Sequence, residues 1–576
     1  MEPRFIVVSL ADRRNIGRLQ EIASQAEQIF GLNVVLDAGG FIVLADEGTP
    51  IVRLASGQGV VLGLLFDRNG HGSPPAIDKE ISDRIVETKG QVLIDEYWGD
   101  YVAVVSAETA YVIRDPIGGV PCYHAKSEGV RLAFSNIAVP RQLKLVPCSI
   151  DWEMLAWTAA TYDMAASRTC ISGVTELLPG MRLSLLDGTE ECIWSPWRFL
   201  DRGCQFKTRR EAVTGLRNEV EVAARALMRS APRGVVEISG GLDSSIVAAV
   251  LKDAGADLQC ITLVTPDPGA DERRYAQAMA DHIGAPLKAV FLSPLDVALT
   301  DVSPVLKPRP SDHPLKRLID LALIRTAGSD SADAFFSGSG GDHVLGYFHT
   351  SAPAADALQV HGPGKTFLKA TADVAKLHRT SVWKVGRLAL KKSLRESTQR
   401  SPSISPFITP EMLPPQRPMH PWERPPHKAL PGAWEQMIGL SGAKNVRDGR
   451  DRSQIAPNRT PLLSQPVVEH CLRIPSWMSV HGGQNRSVAR EAFADLLPPL
   501  ILTRTTKGDF TELLGAIFDH NREIVRELLL GGRLREAGMI DVPSAERTVC
   551  LNGPSKDAAF VQLLTLAAIE LWSRSW

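Results

Sequence analysis

The residues best placed to do chemistry lie in one short run, Ser239-Gly240-Gly241-Leu242-Asp243-Ser244-Ser245. An apolar strand, Val235-Val236-Glu237-Ile238, precedes it, and a helical pattern over residues 244–254 comes after it. Glycines let the backbone turn sharply, so successive N–H groups converge on one point, and the start of a helix adds partial positive charge there. Such a loop is built for an anion like pyrophosphate, with Ser239, Gly240, Gly241, Ser244 and Ser245 as candidate ligands. No Gly-Lys-Ser/Thr follows, so it is not a Walker A loop. Asp243 would repel a phosphate unless a cation intervenes, which makes it a candidate Mg2+ ligand bridging to the phosphates. The plainer alternative is a tight strand–helix turn capped by serines.

A loop of this kind needs a sheet to hold it, and the surrounding pattern supplies one. Residues 210–229 place Ala212, Leu216, Val220, Ala223 and Leu227 on one helical face. Strands at 235–238, 258–264 and 287–292 alternate with helices at 244–254 and 271–283, closed by Gly255 and Gly284. That alternation predicts a parallel α/β sheet. Residues 1–205 read differently. Short β-branched runs such as 5–8, 101–105 and 111–113 are separated by turn signals at 37–40, 98–100, 117–119 and 187–188, with little helix between them, which predicts stacked antiparallel sheets. The expected division is therefore 1–205 and 206–576, with an insertion at about 351–432. From Lys365 to Arg400 that insertion carries ten Lys/Arg against Asp373 and Glu396, and ten prolines occur between Pro402 and Pro431. A basic amphipathic helical part and then an extended crossing segment are expected. From Ala433 onward the pattern is helical, including a helix expected over 486–497.

Composition narrows the class. The chain has 576 residues, and its 64 Lys/Arg nearly cancel 65 Asp/Glu, so no general positive field marks it as a nucleic-acid coat. None of its eight cysteines forms a CxxC pair, and no HExxH or tight His/Cys cluster offers a zinc site. The N-terminus lacks the apolar core of a signal peptide and no apolar run reaches 18 residues. A soluble, reduced, cytoplasmic protein is expected, with neither nucleic acid nor membrane as partner.

The 239–245 run closely resembles the PP-loop of the N-type ATP pyrophosphatases, in the branch that contains the asparagine synthetases. The resemblance implies a parallel-sheet synthetase fold, cleavage of ATP between its α and β phosphates, and an acyl adenylate intermediate. A second run, Ser337-Gly338-Ser339-Gly340-Gly341-Asp342-His343, sits after the strand-like 333–336, where asparagine synthetases carry a pattern like SGEGSDE. Ser337, Gly338, Gly340 and Gly341 then belong to a second glycine-rich strand end aimed at the nucleotide. Asp342 is placed to be the second carboxylate on Mg2+, which takes few protein ligands. A third run, Arg504-Thr505-Thr506-Lys507-Gly508, matches the place where these synthetases bring a lysine into the site. The resemblance implies that Lys507 stabilises charge on the α-phosphate and on the oxyanion of amide formation.

Residues 114–123 (RDPIGGVPCY) and Leu178-Pro179-Gly180 resemble the Ntn-type glutaminase domain of the same superfamily. That activity needs a cysteine at position 2, and this chain has Glu2 with no cysteine before Cys122. Unless an unseen precursor is processed, glutamine hydrolysis is excluded there, and a structural or docking role is expected. Three amide-forming relatives compete. An ammonia-dependent asparagine synthetase would need the acidic residues replaced here by Ser339 and His343. A β-lactam synthetase also lacks the glutaminase cysteine. The 340–343, 114–123 and 505–507 runs look most like a lasso peptide cyclase, which joins a peptide's N-terminal amine to an Asp or Glu side chain. That resemblance implies ATP and Mg2+, a precursor peptide as substrate, and a leader-recognition protein and leader peptidase as partners. His343 becomes a candidate general base, or a satisfied structural histidine. An ATP-binding scaffold and a tRNA-modifying enzyme are the readings from other classes. Retention of all three runs argues against the first, and the lack of cysteine pairs against the second.

Overall fold

The computed structural model describes residues 3–11, 15–70, 75–161, 166–300, 305–310, 313–327, 332–394, 404–447, 451–505, 508–550 and 559–576. Its N-terminal part is built on two six-stranded antiparallel sheets. Strand alternation sorts side chains between two cores. In the strand Phe5–Leu10, Phe5 and Val7 join Val43, Leu62, Val102 and Val104 between the sheets. Ile6 and Val8 point the other way, onto Leu19, Ile22 and Ala26 of the helix Ile16–Phe30. Helices are more prominent here than the sequence suggested. Ile16–Phe30, Lys79–Glu87, Gln91–Glu96 and Trp152–Thr161 flank the sheets; the last three are short, whereas Ile16–Phe30 carries a helical apolar face at Leu19, Ile22 and Ala26 that the reading of this region as strands passed over.

The 114–123 motif is a scaffold for one loop. Arg114, wholly buried, pairs with Glu176 at 2.8 Å and donates to the carbonyls of Val120, Leu177 and Gly118. Asp115 accepts the N–H groups of Ile117, Gly118 and Gly119. A buried charge is stable only when satisfied in this way.

The C-terminal part is built on a sheet of five parallel strands in the order Leu287–Phe291, Asp257–Val264, Arg233–Glu237, Ala334–Ser337, Asn458–Arg459. The chain steps outward from 233–237 to 257–264 and 287–291, then returns to the opposite side of 233–237 at 334–337. The order therefore reverses between 233–237 and 334–337, which pair with Glu237 opposite Ser337. A crevice at the carboxyl ends of such a pair is where open α/β sheets bind ligands. The helix Arg209–Ser230, started by a Thr208–Glu211 capping box, buries Leu216, Val220 and Leu227 against Val247 and Val250 of the helix Leu242–Asp253. The same core continues into the N-terminal sheets through Val61 and Val105.

The insertion begins with three helices, Ala352–His361, Lys365–Leu377 and Val382–Ser393, around a small core of their own that includes Phe348 and Val480. The proline-rich stretch crosses between layers. Ser405 donates to the Ala160 carbonyl, Thr409 to that of Met539, and Trp197 to that of Trp422. Among the described residues no helix is long and apolar enough to cross a membrane.

One buried acid fixes the insertion to the helices C-terminal to it. Asp356 accepts from the Gly432 N–H at 2.9 Å and from the Ser476 hydroxyl at 2.6 Å. Burial pushes its carboxyl up to about 7, opposed by those two hydrogen bonds, with Glu435 raising it further and Lys392 lowering it. The folded state then holds a proton that the unfolded chain has released above about pH 4. Its unfolded form binds fewer protons in that window, so the group's contribution to stability falls as pH rises from about 4 to about 7 and is level beyond. The Tm of Asp356→Asn minus that of the wild type should therefore increase between those limits. Scanning calorimetry across that range checks it, and a constant difference would show that Asp356 does not titrate in the fold.

Candidate active site

The first loop leaves the strand 233–237 through Ile238, whose N–H donates to the Ile261 carbonyl, and turns at Gly240 with φ +63°. A β-carbon at Gly240 would lie 2.2 Å from the Tyr275 β-carbon, so glycine is required on grounds of both space and backbone angle. Gly241 is the N-cap of the helix Leu242–Asp253, which starts two residues earlier than the sequence suggested, and Asp243 falls in its first turn. Ser244 Oγ accepts from the Ser239 N–H and donates to the Gly241 carbonyl, each at 3.3 Å, which ties the turn to the helix. Ser245 is fully buried on the packed side of that helix.

The second loop lies directly against the first. At Gly338 a β-carbon would stand 2.4 Å from Ser244 N, and at Gly341 it would stand 2.5 Å from Asp243 Cγ. Two glycines thus let one backbone touch the other's helix start. Ser337 and Ser339 share a hydrogen bond at 2.7 Å between their hydroxyls, and Gly340 opens the single-turn helix Gly341–Val344 that carries Asp342. His343 turns its ring toward the helix Pro431–Arg447, where a β-carbon at Gly439 would lie 3.7 Å from its Nδ1.

Asp243 and Asp342 meet on one cation that no sequence motif announces. Arg486 Nη1 lies 2.8 Å from both oxygens of Asp243 and 2.6 Å from Asp342 Oδ1. The expected 486–497 helix is shorter, Ser487–Ala492: it begins after Arg486, which is left-handed at φ +55°, and stops at Phe493. That backbone turn directs its side chain back into the crevice, over the Tyr347 ring at 5.0 Å. Beside it, Asn485 exchanges two hydrogen bonds with the Phe348 backbone, at 3.1 and 3.0 Å, four residues past the Asp342 helix. The available sequence signal is an arginine after an Asn in a Gly-rich run, Gly482-Gly483-Gln484-Asn485, a poor start for a helix interior.

Lys507 and Thr506 lie outside the described residues. Both flanks are anchored to the first loop's neighbourhood. Arg504 donates to the Ser239 carbonyl at 2.9 Å, pairs with Glu272 and stacks on Tyr275 at 3.9 Å, while the Gly508 N–H donates to the same Glu272 at 3.0 Å. Behind the second loop, a cavity of about 200 Å³ separates it from the N-terminal sheets. Ser337 and Ser339 line one side and Gly119 the other, and an Arg459–Asp100 ion pair at 3.4 Å spans it.

The donor set suits a divalent cation. Two carboxylates from neighbouring strand ends converge on one positively charged group, and among the described residues no cluster of three or more His, Cys, Asp or Glu forms a complete protein cage. Mg2+ characteristically takes one or two carboxylates and completes its shell with phosphate oxygens and water.

Residues 215–574, more than half of the chain, match the model of the family asparagine synthase. The chain is 25% identical over 327 residues to the carboxyethyl-arginine beta-lactam-synthase of Streptomyces clavuligerus, across 54% of this chain and 60% of that one. It thus spans about 60% of that curated relative's length. Similar solved structures include NMN synthetase from Francisella tularensis, 15% identical over 25% of this chain and 60% of that one, with a TM-score of 0.18. Another is the glutamine phosphoribosylpyrophosphate amidotransferase of B. subtilis, 12% identical over 50% of this chain and 75% of that one, with a TM-score of 0.19. Likenesses at these TM-scores bear on no assignment.

Arg486 makes a direct prediction. In Arg486→Met the two carboxylates lose the guanidinium they share, which costs about 2 kcal/mol for a partly exposed cluster. The Tm in EDTA should fall, and Mg2+ should raise it more in the variant than in the wild type. Equal Mg2+ responses would place the cation site elsewhere.

Proposed function

Because the chain belongs to the asparagine synthase family, whose members are ATP-dependent amide-forming ligases, we propose that it closes a macrolactam in a lasso peptide precursor. The observation that carries the ligase reading is the meeting of Asp243 and Asp342 at the sheet's switch point, above two interlocked glycine turns. The choice of a peptide substrate rests on the 340–343, 114–123 and 505–507 runs.

In this mechanism an Asp or Glu side chain of the core peptide attacks the α-phosphorus of ATP. A carboxylate oxygen–phosphorus bond forms, the α–β bridge breaks, and pyrophosphate leaves. The peptide's N-terminal amine then attacks the acyl carbon, expelling AMP and losing a proton. The Gly240 turn and the helix start behind it bind the departing pyrophosphate through backbone N–H groups, while the Ser239 and Gly241 N–H groups and the Ser244 hydroxyl brace the turn. Asp243 and Asp342 would hold Mg2+, which would supply positive charge to the phosphates. Lys507 steadies the α-phosphate and then the oxyanion of amide formation. Its stems are fixed by Arg504 and Gly508 on Glu272. His343, the candidate base by sequence, has its ring against the helix Pro431–Arg447, which favours its structural role, so the amine's proton is not assigned to it. Water must be kept from the adenylate, or hydrolysis competes with closure.

Ordering the substrate is the larger task. Closing a ring of about eight residues costs about 2 kcal/mol of length-dependent entropy. Holding about ten further residues threaded through it costs on the order of 10 kcal/mol. ATP drives the bond, so protein surface must supply the threading, and the three-helix insertion with the N-terminal sheets forms the mould. A leader-recognition protein and a leader peptidase deliver the core peptide. The β-lactam-synthase relative supports a second reading, closure of a small ring within one metabolite.

The deciding assay gives purified protein Mg-ATP with three substrate sets: a precursor peptide with its peptidase, aspartate with ammonium, and carboxyethyl-arginine. Pyrophosphate release with loss of one water from the peptide, in the first set alone, is expected; turnover with either small molecule replaces the proposal. Asp243→Ala and Asp342→Ala should abolish pyrophosphate release with an unchanged circular dichroism spectrum, and normal turnover would remove their assignment. Lys507→Ala should slow product formation about a hundredfold while ATP still binds; an unaffected rate would take Lys507 out of the site.

A further inference from the structure

The insertion leaves one helix face uncovered. In Val382–Ser393, Val385 and Ala389 point into the small core with Ala370 and Val374. The other side carries Trp383, Leu390 and, at the helix end, Leu394, spaced i, i+7 and i+11 along one stripe. Trp383 is 85% exposed and Leu390 51%. On the preceding helix, Leu368 is 63% exposed. Gly386 sits beside Thr371, so the antiparallel pair brings Leu368 level with Leu390. Single exposed leucines are ordinary, but a tryptophan and three leucines together are an interaction surface.

A second stripe runs beside the first. Lys384, Arg387 and Lys391 are spaced i, i+3 and i+7, all exposed, and no ion pair among the described residues engages them. Asp373 is the only acid in these two helices, and it is engaged within the chain by the Gly482 N–H at 2.9 Å.

We propose that this face docks an acidic amphipathic helix from a partner polypeptide. Its apolar side chains lie on Trp383, Leu390 and Leu368, and its carboxylates lie beside Lys384, Arg387 and Lys391. A second copy of this chain does not fit, because like faces would set cations against cations. A lipid surface is the other occupant to separate, and the vesicle arm of the test does so; Lys384, Arg387 and Lys391 run in one row along the helix, the arrangement that the carboxylates of a helix lying alongside would meet. The proposal goes beyond the ligase reading and does not depend on it. It also reaches the crevice, because Asp373 holds Gly482, four residues before Arg486.

The test uses the full chain and a fluorescein-labelled helical peptide with leucines at heptad positions a and d and glutamates flanking them, followed by anisotropy. A lysine-flanked counterpart and phosphatidylserine vesicles are the comparisons. The glutamate peptide should bind, and binding should weaken about tenfold in Trp383→Ser/Leu390→Ser. Arg387→Glu/Lys391→Glu should weaken it and shift preference to the lysine peptide, with an unchanged Tm in both variants. Equal binding of the two peptides, or binding unaltered in both variants, overturns the proposal. So does sedimentation with vesicles that only the wild type shows, which would make the face a lipid contact.

Discussion

Everything in the crevice is arranged around one guanidinium. Asp243 comes from the start of a helix after one strand, Asp342 from a single turn after its neighbour, and Arg486 from a left-handed residue far along the chain. Two carboxylates this close repel each other, and a helix start alone cannot balance both. Arg486 supplies the missing charge at 2.6 to 2.8 Å. A planar guanidinium suits this task better than an ammonium would, because its donors are fixed in direction and its face can rest on an aromatic ring, here Tyr347. In the proposed reaction the same position is wanted by a metal, so the charge balance is set before the nucleotide arrives.

Close approach of backbones is the second constraint. Gly240 makes room for Tyr275, and Gly338 and Gly341 make room for Asp243 and Ser244. A side chain at any of the three would push the loops apart, and with them the carboxylates. Arg504 and Arg490 act in the same direction from outside. Arg504 holds the Ser239 carbonyl, and Arg490 holds those of Asn485 and Leu502, so the first loop, the Arg486 turn and the stem leading to Lys507 are linked through two cations.

Much of this was legible in the sequence, and the exceptions have physical reasons. The parallel sheet and both glycine loops follow from local patterns, since strand, turn and helix start are set within a dozen residues; that Asp243 and Asp342 share one guanidinium is a long-range property of the fold. The basic helices and the proline-rich crossing of the insertion follow from composition. Arg486 was not legible, because its role depends on a left-handed backbone and on contacts with residues 144 and 243 positions away. The short helices flanking the N-terminal sheets were submerged among stronger strand signals. Ser245 looked like a ligand by motif, yet its side chain faces the helix packing. Conversely, Arg114 and Asp115, which read as a family signature, turn out to be the internal bracing of the 114–120 loop.

The wide separation of Asp243, Asp342 and Arg486 along the chain has a consequence for biosynthesis. As the polypeptide leaves the ribosome, both carboxylates emerge long before the arginine that balances them, with the whole insertion still to come between Asp342 and Arg486. Folding proceeds broadly from the N-terminus, and contacts of long sequence separation form last. Four of the five parallel strands can therefore assemble before Arg486 exists, and the insertion and the edge strand Asn458–Arg459 must follow before the crevice can close. A nascent chain in that state has its scaffold but not its site, so the ability to grip a nucleotide is among the last properties the protein acquires.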